Sequence, residues 1–215
     1  VIVGNETLLR ADLNEEELFA YIDFVAEFTN KPITCAETWD VWERIPTLAN
    51  HVDFITIHIL PYWEKVPIER FNDFIIEKYS VVENLFPYKK INIGETGWPS
   101  HGYNNNNAVP SLKNQAVAIR GFINLASQKG WDYNIVEAFD QQWKGYDEGN
   151  VGQYWGIFTS DRELKFYLSG DIELNQYWLY QMLAAIIIGA LITLYGLRNQ
   201  RVNINHALAY AIAAQ

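Results

Sequence analysis

Cysteine is nearly absent: Cys35 is the single one in 215 residues. An internal disulfide is therefore excluded, and the apolar, strand-like surroundings of Cys35 point to a buried inert thiol rather than a nucleophile. No His/Cys/Asp cluster has metal-ligand spacing, so neither a metal nor another cofactor is expected. Basic residues are also scarce. Up to Glu173 there are 14 Lys and Arg against 26 Asp and Glu. Such an acidic surface argues against a nucleic-acid partner, which needs basic patches for phosphate. Beyond Glu173 acidic residues vanish, and from Trp178 to Leu197 there is no charge at all.

That uncharged run is twenty residues long. At 1.5 Å per residue a helix of this length covers about 30 Å, one hydrocarbon core. Tyr177, Trp178 and Tyr180 at one end and Tyr195 at the other match interfacial aromatic belts. Asp171 and Glu173 precede the run, while Arg198 and Arg201 follow it. The positive-inside rule then puts the C-terminal side in the cytoplasm and the acidic region outside. A buried core helix is the alternative reading. The apolar stretch His206–Ala214 is too short to cross alone but would suit the start of a second membrane helix. The expected organisation is a domain over 1–170, a linker over 171–177, a transmembrane helix over 178–197, and a cytoplasmic loop with the start of a second span over 198–215.

Within the acidic part, strand and helix patterns alternate every 30 to 45 residues. Strands are expected at Val1–Val3, Ile33–Ala36, Phe54–Ile59, Ile91–Gly94 and Asn134–Phe139. Asn14, with Glu17 three residues on, is a plausible helix N-cap. Leu18, Ile22, Val25 and Ala26 follow as a helical stripe. Ile68–Val82 is a second helical pattern, and a third opens at Pro110-Ser111 and ends at Gly130. Regular alternation of this kind predicts an α/β fold with a parallel sheet.

Two of the strands end abruptly on a glutamate: Val3-Gly4-Asn5-Glu6 and Ile93-Gly94-Glu95. A strand that delivers a carboxylate at its C-terminal tip is how a (β/α)8 barrel presents catalytic groups. Two such carboxylates are the minimum equipment for glycoside hydrolysis. The stretch Glu95-Thr96-Gly97-Trp98-Pro99-Ser100, with Gly102 beyond it, resembles the signature of glycoside hydrolase family 17, the β-1,3-glucanase and glucanosyltransferase family. Val3-Gly4-Asn5-Glu6 looks like that family's acid/base strand. Glu137-Ala138-Phe139-Asp140-Gln141-Gln142-Trp143-Lys144, followed by Tyr154-Trp155-Gly156-Ile157-Phe158, is similar to its last barrel strand and the segment after it. The resemblance runs in order from Val1 to about Phe166.

The resemblance implies a (β/α)8 TIM barrel with Glu6 on strand four and Glu95 on strand seven, so the chain is expected to supply the C-terminal part, strands four to eight. It implies Glu95 as nucleophile and Glu6 as general acid/base, the latter needing a raised pKa to donate near neutral pH. Asn5 would bind the sugar 2-hydroxyl. Tyr62, after Pro61, would support the nucleophile or contact the sugar, and Trp143 and Lys144 match a Trp-Lys pair that would line the cleft. Trp98 packs beneath the cleft or stacks on sugar. Glu37 reads equally as a sugar contact or an internal ion-pair partner. Gln141-Gln142 departs from the family pattern, and His58 reads as a satisfied core histidine.

The combined expectation is a retaining hydrolase or transglycosylase acting on β-1,3-glucan outside the cytoplasmic membrane, of the membrane-anchored bacterial type. A glucan synthase is the protein partner this implies, and residues 1–215 alone are expected to be inactive. The alternative is a non-catalytic glucan-binding module of a membrane glucan synthase or export system.

Overall fold

The computed structural model describes residues 1–172, 175 and 177–198. Two compact units divide the chain, the first over Val1–Ile172 and the second from Glu173 onward. The first is built on five strands: β1 (Ile2–Asn5), β2 (Thr34–Thr38), β3 (Ile55–His58), β4 (Ile91–Thr96) and β5 (Asp132–Ile135). They form one sheet in chain order, every neighbouring pair parallel. The connecting helices are α1 (Glu15–Glu27), α2 (Trp39–Arg44), α3 (Phe71–Leu85) and α4 (Leu112–Lys129). Among the described residues the outer edges of β1 and β5 have no strand partner.

Local chemistry sets the helix ends. The Asn14 side chain accepts from the Glu17 N–H while the Glu17 carboxylate accepts from the Asn14 N–H, a closed capping box that starts α1. Ser111 Oγ caps α4, and Gly130 ends it at φ +68°, where a side chain would be strained. The pattern over Ile68–Val82 divides into a 3₁₀ turn at Ile68–Arg70 and α3 proper. The last strand starts two residues earlier than the pattern suggests and ends four earlier, because after Ile135 the chain leaves the sheet and Phe139 pairs instead with Phe158.

The core lies between the sheet and its helices. Ile55 and Ile57 of β3 and Ile91 and Ile93 of β4 pack with Trp42, Phe71, Ile75 and Phe122 from the helices. Each such buried side chain contributes roughly 1.5–3 kcal/mol. The opposite face of the sheet carries Thr34 and Thr56, whose hydroxyls bond at 3.0 Å, and then His58.

Two bulges break the strand alternation where it matters. Ile57 pairs with Ile93 but His58 pairs with Glu95, so Gly94 is an extra residue in β4. Without it, Glu95 would follow Ile91 and Ile93 onto the helix face; with it, Glu95 turns to the His58 face. A second bulge lies in β1, where Ile2 pairs with Thr34 and Asn5 with Ala36. There Gly4 adopts φ +86°, and a Cβ would lie 2.5 Å from Thr7 Oγ1. Glu6 follows at φ +53°, a conformation uncommon outside glycine and asparagine.

In the second unit, Trp178–Leu197 is one helix, α5. None of its described residues is buried, unlike a core helix, and Trp178–Gly196 is long and apolar enough to cross a membrane. Residues 199–215, which hold Arg201 and the expected second span, lie outside the described residues, as do 173, 174 and 176 of the expected linker.

Candidate active site

Glu6, His58 and Glu95 meet at the C-terminal ends of β1, β3 and β4. His58 Nδ1 lies 2.8 Å from one Glu6 oxygen and 3.8 Å from a Glu95 oxygen. One ligand-type atom from each of the three lies within 4.8 Å of the others. They open into a cleft of about 580 Å³ lined also by Leu9, Trp39, Trp63, Lys144 and Trp155. The His58 ring lies close against Gly94: a Cβ there would stand 2.9 Å from its Cδ2 and 3.0 Å from its Nε2. Gly94 therefore does two jobs, aiming Glu95 and leaving room for the imidazole.

Arg10 Nη1 sits 3.6 Å from the second Glu6 oxygen, and Lys144 lines the same cleft. Two cations this close disfavour a metal ion at the cluster, and Nδ1 already engages Glu6 at hydrogen-bond length. The arrangement is an acid–base cluster. It can hold a proton at more than one place, and it sets two carboxylates across a gap narrow enough for one anomeric centre.

The electrostatics run opposite to the expectation for Glu6. Its hydrogen bond to His58, helped by the charges of His58, Arg10 and Lys144, holds the Glu6 carboxyl below the usual value and outweighs partial burial. Glu95 is raised, chiefly by burial, with the Glu6 and Glu137 charges adding to it. Glu148, a further carboxylate on the cleft wall, is also raised by burial.

The remaining expected residues occupy varied places. Lys144 lines the cleft and pairs with Glu137 at 3.0 Å. Trp143 is exposed, its indole N–H donating to Gln141 at 2.8 Å. Asn5 is exposed and does not line the cleft; its carbonyl accepts from the Arg10 guanidinium. Tyr62 is fully buried, donating its hydroxyl to the Tyr103 carbonyl at 2.7 Å. Trp98 is fully buried too, edge-on to Tyr62 and Phe71, with its N–H on the Val109 carbonyl. Both lie beneath the cleft floor.

Glu37 is fully buried and lies beside Ile57 in the sheet register, while His58 pairs with Thr38. Its two oxygens accept from the Leu8 and Leu9 N–H groups at 2.8 and 3.3 Å. It braces the turn that carries Glu6 and Arg10. Cleft residues absent from the sequence expectation include Trp39, Trp63, Glu148 and Trp155. The Trp39 N–H bonds to Glu64 at 3.2 Å and Lys78 covers its ring at 4.2 Å, while Trp63 and Trp155 stack at 5.9 Å. Their aromatic character was visible in sequence; their convergence required the loops to fold.

Comparison with known proteins gives the family. Residues 1–156 match the family described as the BtgE/BtgC glycoside hydrolase domain. The chain is 27% identical over 194 residues to a glucan 1,3-beta-glucosidase of Saccharomyces cerevisiae, covering 79% of this chain and 61% of that protein. It is 30% identical over 168 residues to a probable beta-glucosidase btgE of Aspergillus fumigatus, covering 74% of this chain and 29% of that one. The glycoside hydrolase family 17 beta-1,3-glucanosyltransferase of Rhizomucor miehei superposes with a TM-score of 0.72 at 28% identity, over 79% of this chain and 63% of that one. An active-site mutant of the same enzyme is known in complex with laminaritriose. The chain thus spans about three-fifths of the length of the yeast and Rhizomucor proteins. The matched segment contains both strand-end glutamates and the cleft between them, and the chain belongs to the BtgE/BtgC glycoside hydrolase domain family.

Proposed function

We propose that this chain forms the catalytic part of a retaining glycosidase or transglycosylase acting on β-1,3-glucan. The observation that carries the reading is the Glu6–Glu95 pair, with an oxygen of each within 4.8 Å in one aromatic-walled cleft. Retaining enzymes hold their carboxyl groups about 5–5.5 Å apart, and inverting ones about 6.5–9.5 Å. Glu95 attacks the anomeric carbon while Glu6 protonates the leaving oxygen. Water or a second sugar, deprotonated by Glu6, then releases the glycosyl-enzyme. The substrate class follows the names of the relatives, and transfer to a second sugar follows the Rhizomucor glucanosyltransferase. Asn5, Glu37, Tyr62, Trp98, Trp143 and Lys144 are the proposed supporting residues, with Glu37, Tyr62 and Trp98 acting from beneath the cleft rather than on sugar.

Five parallel strands with their helices support the assignment to barrel strands four to eight. The unpaired β1 edge supports the expectation that residues 1–215 alone are inactive, so activity is to be measured on the intact protein. The apolar helix α5, flanked as the positive-inside rule requires, supports a membrane-anchored domain facing the periplasm or exterior. A membrane glucan synthase remains the proposed partner.

The test is cleavage of laminari-oligosaccharides together with trapping by a 2-deoxy-2-fluoro laminaribioside. The expected label is on Glu95, and Glu95→Gln abolishes turnover. Binding without cleavage would establish the non-catalytic glucan-binding alternative. A label on Glu6 would reverse the two roles, as the pKa directions of the free site taken alone would have it.

A further inference from the structure

The free site is arranged against the first chemical step: the His58 hydrogen bond holds the Glu6 carboxyl below its usual range. Glu6 must be protonated to act as acid, yet it is the carboxylate that His58 engages. His58 is the one group that reaches both glutamates, at 2.8 and 3.8 Å through the same nitrogen. Its side chain is 1% exposed, and a Cβ added at Gly94 would stand within 3.0 Å of the ring. A ring this buried offers little surface for a sugar contact. What it can still exchange is a proton.

We propose that His58 stores the catalytic proton between turnovers and returns it to Glu6 when glucan fills the cleft. The inference rests on the reading of Glu6 as the acid/base. In the free site the stored form is an imidazolium between two carboxylates. Transfer breaks the Nδ1–H bond and forms an O–H bond on Glu6, converting imidazolium and carboxylate into neutral imidazole and carboxylic acid. No charge or redox equivalent leaves the site. Glu6 then gives that proton to the leaving oxygen. In the second half-reaction it takes one back from water or a sugar hydroxyl, and returns it to Nδ1 as product departs.

Glucan drives the exchange by displacing water. A charge-separated pair is favoured in a hydrated cleft and disfavoured in a dry one, where burial penalises both ions. The charged groups around the site bear on that balance from every side. Glu6 and Arg10 come from the end of β1, Glu37 from β2, and Glu95 from β4. Glu137, Lys144 and Glu148 come from the segment after β5. His58 is a positioning residue for the proton, not a group that touches the reacting atoms.

His58→Asn is the discriminating variant, because its amide N–H can still donate to Glu6 but cannot carry a proton. The readout is the pH profile of kcat/KM on laminari-oligosaccharides in the intact protein. Ordinary imidazole and carboxyl groups differ by about two units, so moving the stored proton from one to the other should move the alkaline limb down by about as much. Above both limbs that is a loss of about 100-fold, narrowing steadily towards acid pH. A uniform loss at all pH values, or an unmoved limb, overturns the proposal. A second measurement covers a variant that fails to fold. In the unsubstituted protein labelled with ¹⁵N-histidine, NMR near pH 6 should show His58 with both ring nitrogens protonated. Saturation with a non-cleavable S-linked laminaritriose should convert it to the neutral ring. A His58 already neutral in the free protein, or still cationic when the analogue is bound, overturns the proposal whatever the kinetics. An unsubstituted protein that cleaves no laminari-oligosaccharide defeats the functional reading itself, a result distinct from either His58 outcome.

Discussion

Glu37 offers a direct test of how the turn bearing Glu6 is held. Its carboxylate is fully buried and accepts two backbone N–H groups, from Leu8 at 2.8 Å and Leu9 at 3.3 Å. Burial nevertheless holds it above the ordinary carboxylate range. Glu37→Ala removes both acceptors and one buried methylene. The shorter bond to a charged group contributes about 1.5–3 kcal/mol and the longer one about 0.5–1.5 kcal/mol. The methylene adds roughly 0.8 kcal/mol. Relief of the buried charge offsets part of this, leaving a net loss of about 2–4 kcal/mol. For a domain of this size that is a fall in Tm of roughly 4–16 °C. Glu37→Gln keeps the volume and one acceptor for Leu8 and sheds the charge, so it should cost about 1 kcal/mol or less. Differential scanning calorimetry and steady-state kinetics on the intact protein check both. In Glu37→Ala, kcat should fall with Tm, because the turn also carries Glu6 and Arg10. An alanine variant with unchanged Tm would refute the brace. So would a glutamine variant of unchanged Tm whose KM rises tenfold, since that would mean Glu37 contacts sugar.

Three further expectations follow from the geometry. Burial holds Glu95 above its ordinary value of 4.5, so the folded protein binds this proton more tightly than the unfolded chain, and stability declines as pH rises through that window. Glu95→Gln should thus be more thermostable than the unsubstituted protein at pH 7, with the advantage vanishing below pH 4.5; an advantage that persists in acid would contradict it. Trp143 is 59% exposed, and its one side-chain hydrogen bond runs to Gln141. Trp143→Ala should change stability by no more than about 0.5 kcal/mol while raising KM severalfold, and an unchanged KM would remove it from the sugar platform. For α5, a reporter fused after Arg198 should behave as cytoplasmic and one fused before Asp171 as exported. The same side for both would rule out the span.

Several parts of this protein were legible in its sequence because they depend on local chemistry. The capping box at Asn14 and Glu17, the stop at Gly130 and the bounds of α5 each follow from a few neighbouring residues. The alternation of strand and helix patterns announced the parallel α/β sheet. Two glutamates at strand tips, within a signature as specific as Glu95-Thr96-Gly97-Trp98-Pro99-Ser100, announced a glycoside hydrolase. Which face each glutamate would take was beyond the sequence. Side chains alternate with a period of two, so a single extra residue reverses every assignment after it. Strict alternation would have sent Glu95 to the helix side with Ile91 and Ile93; the bulge at Gly94 turns it to His58. The same register, counted across β2, puts Glu37 beside Ile57, where it braces the turn bearing Glu6. His58 could be placed on the inner face from its own strand, but not between two carboxylates, because those arrive from β1 and β4 through separate bulges. The depressed pKa of Glu6 and the raised one of Glu95 depend on those distances and on burial, and only the folded sheet sets them.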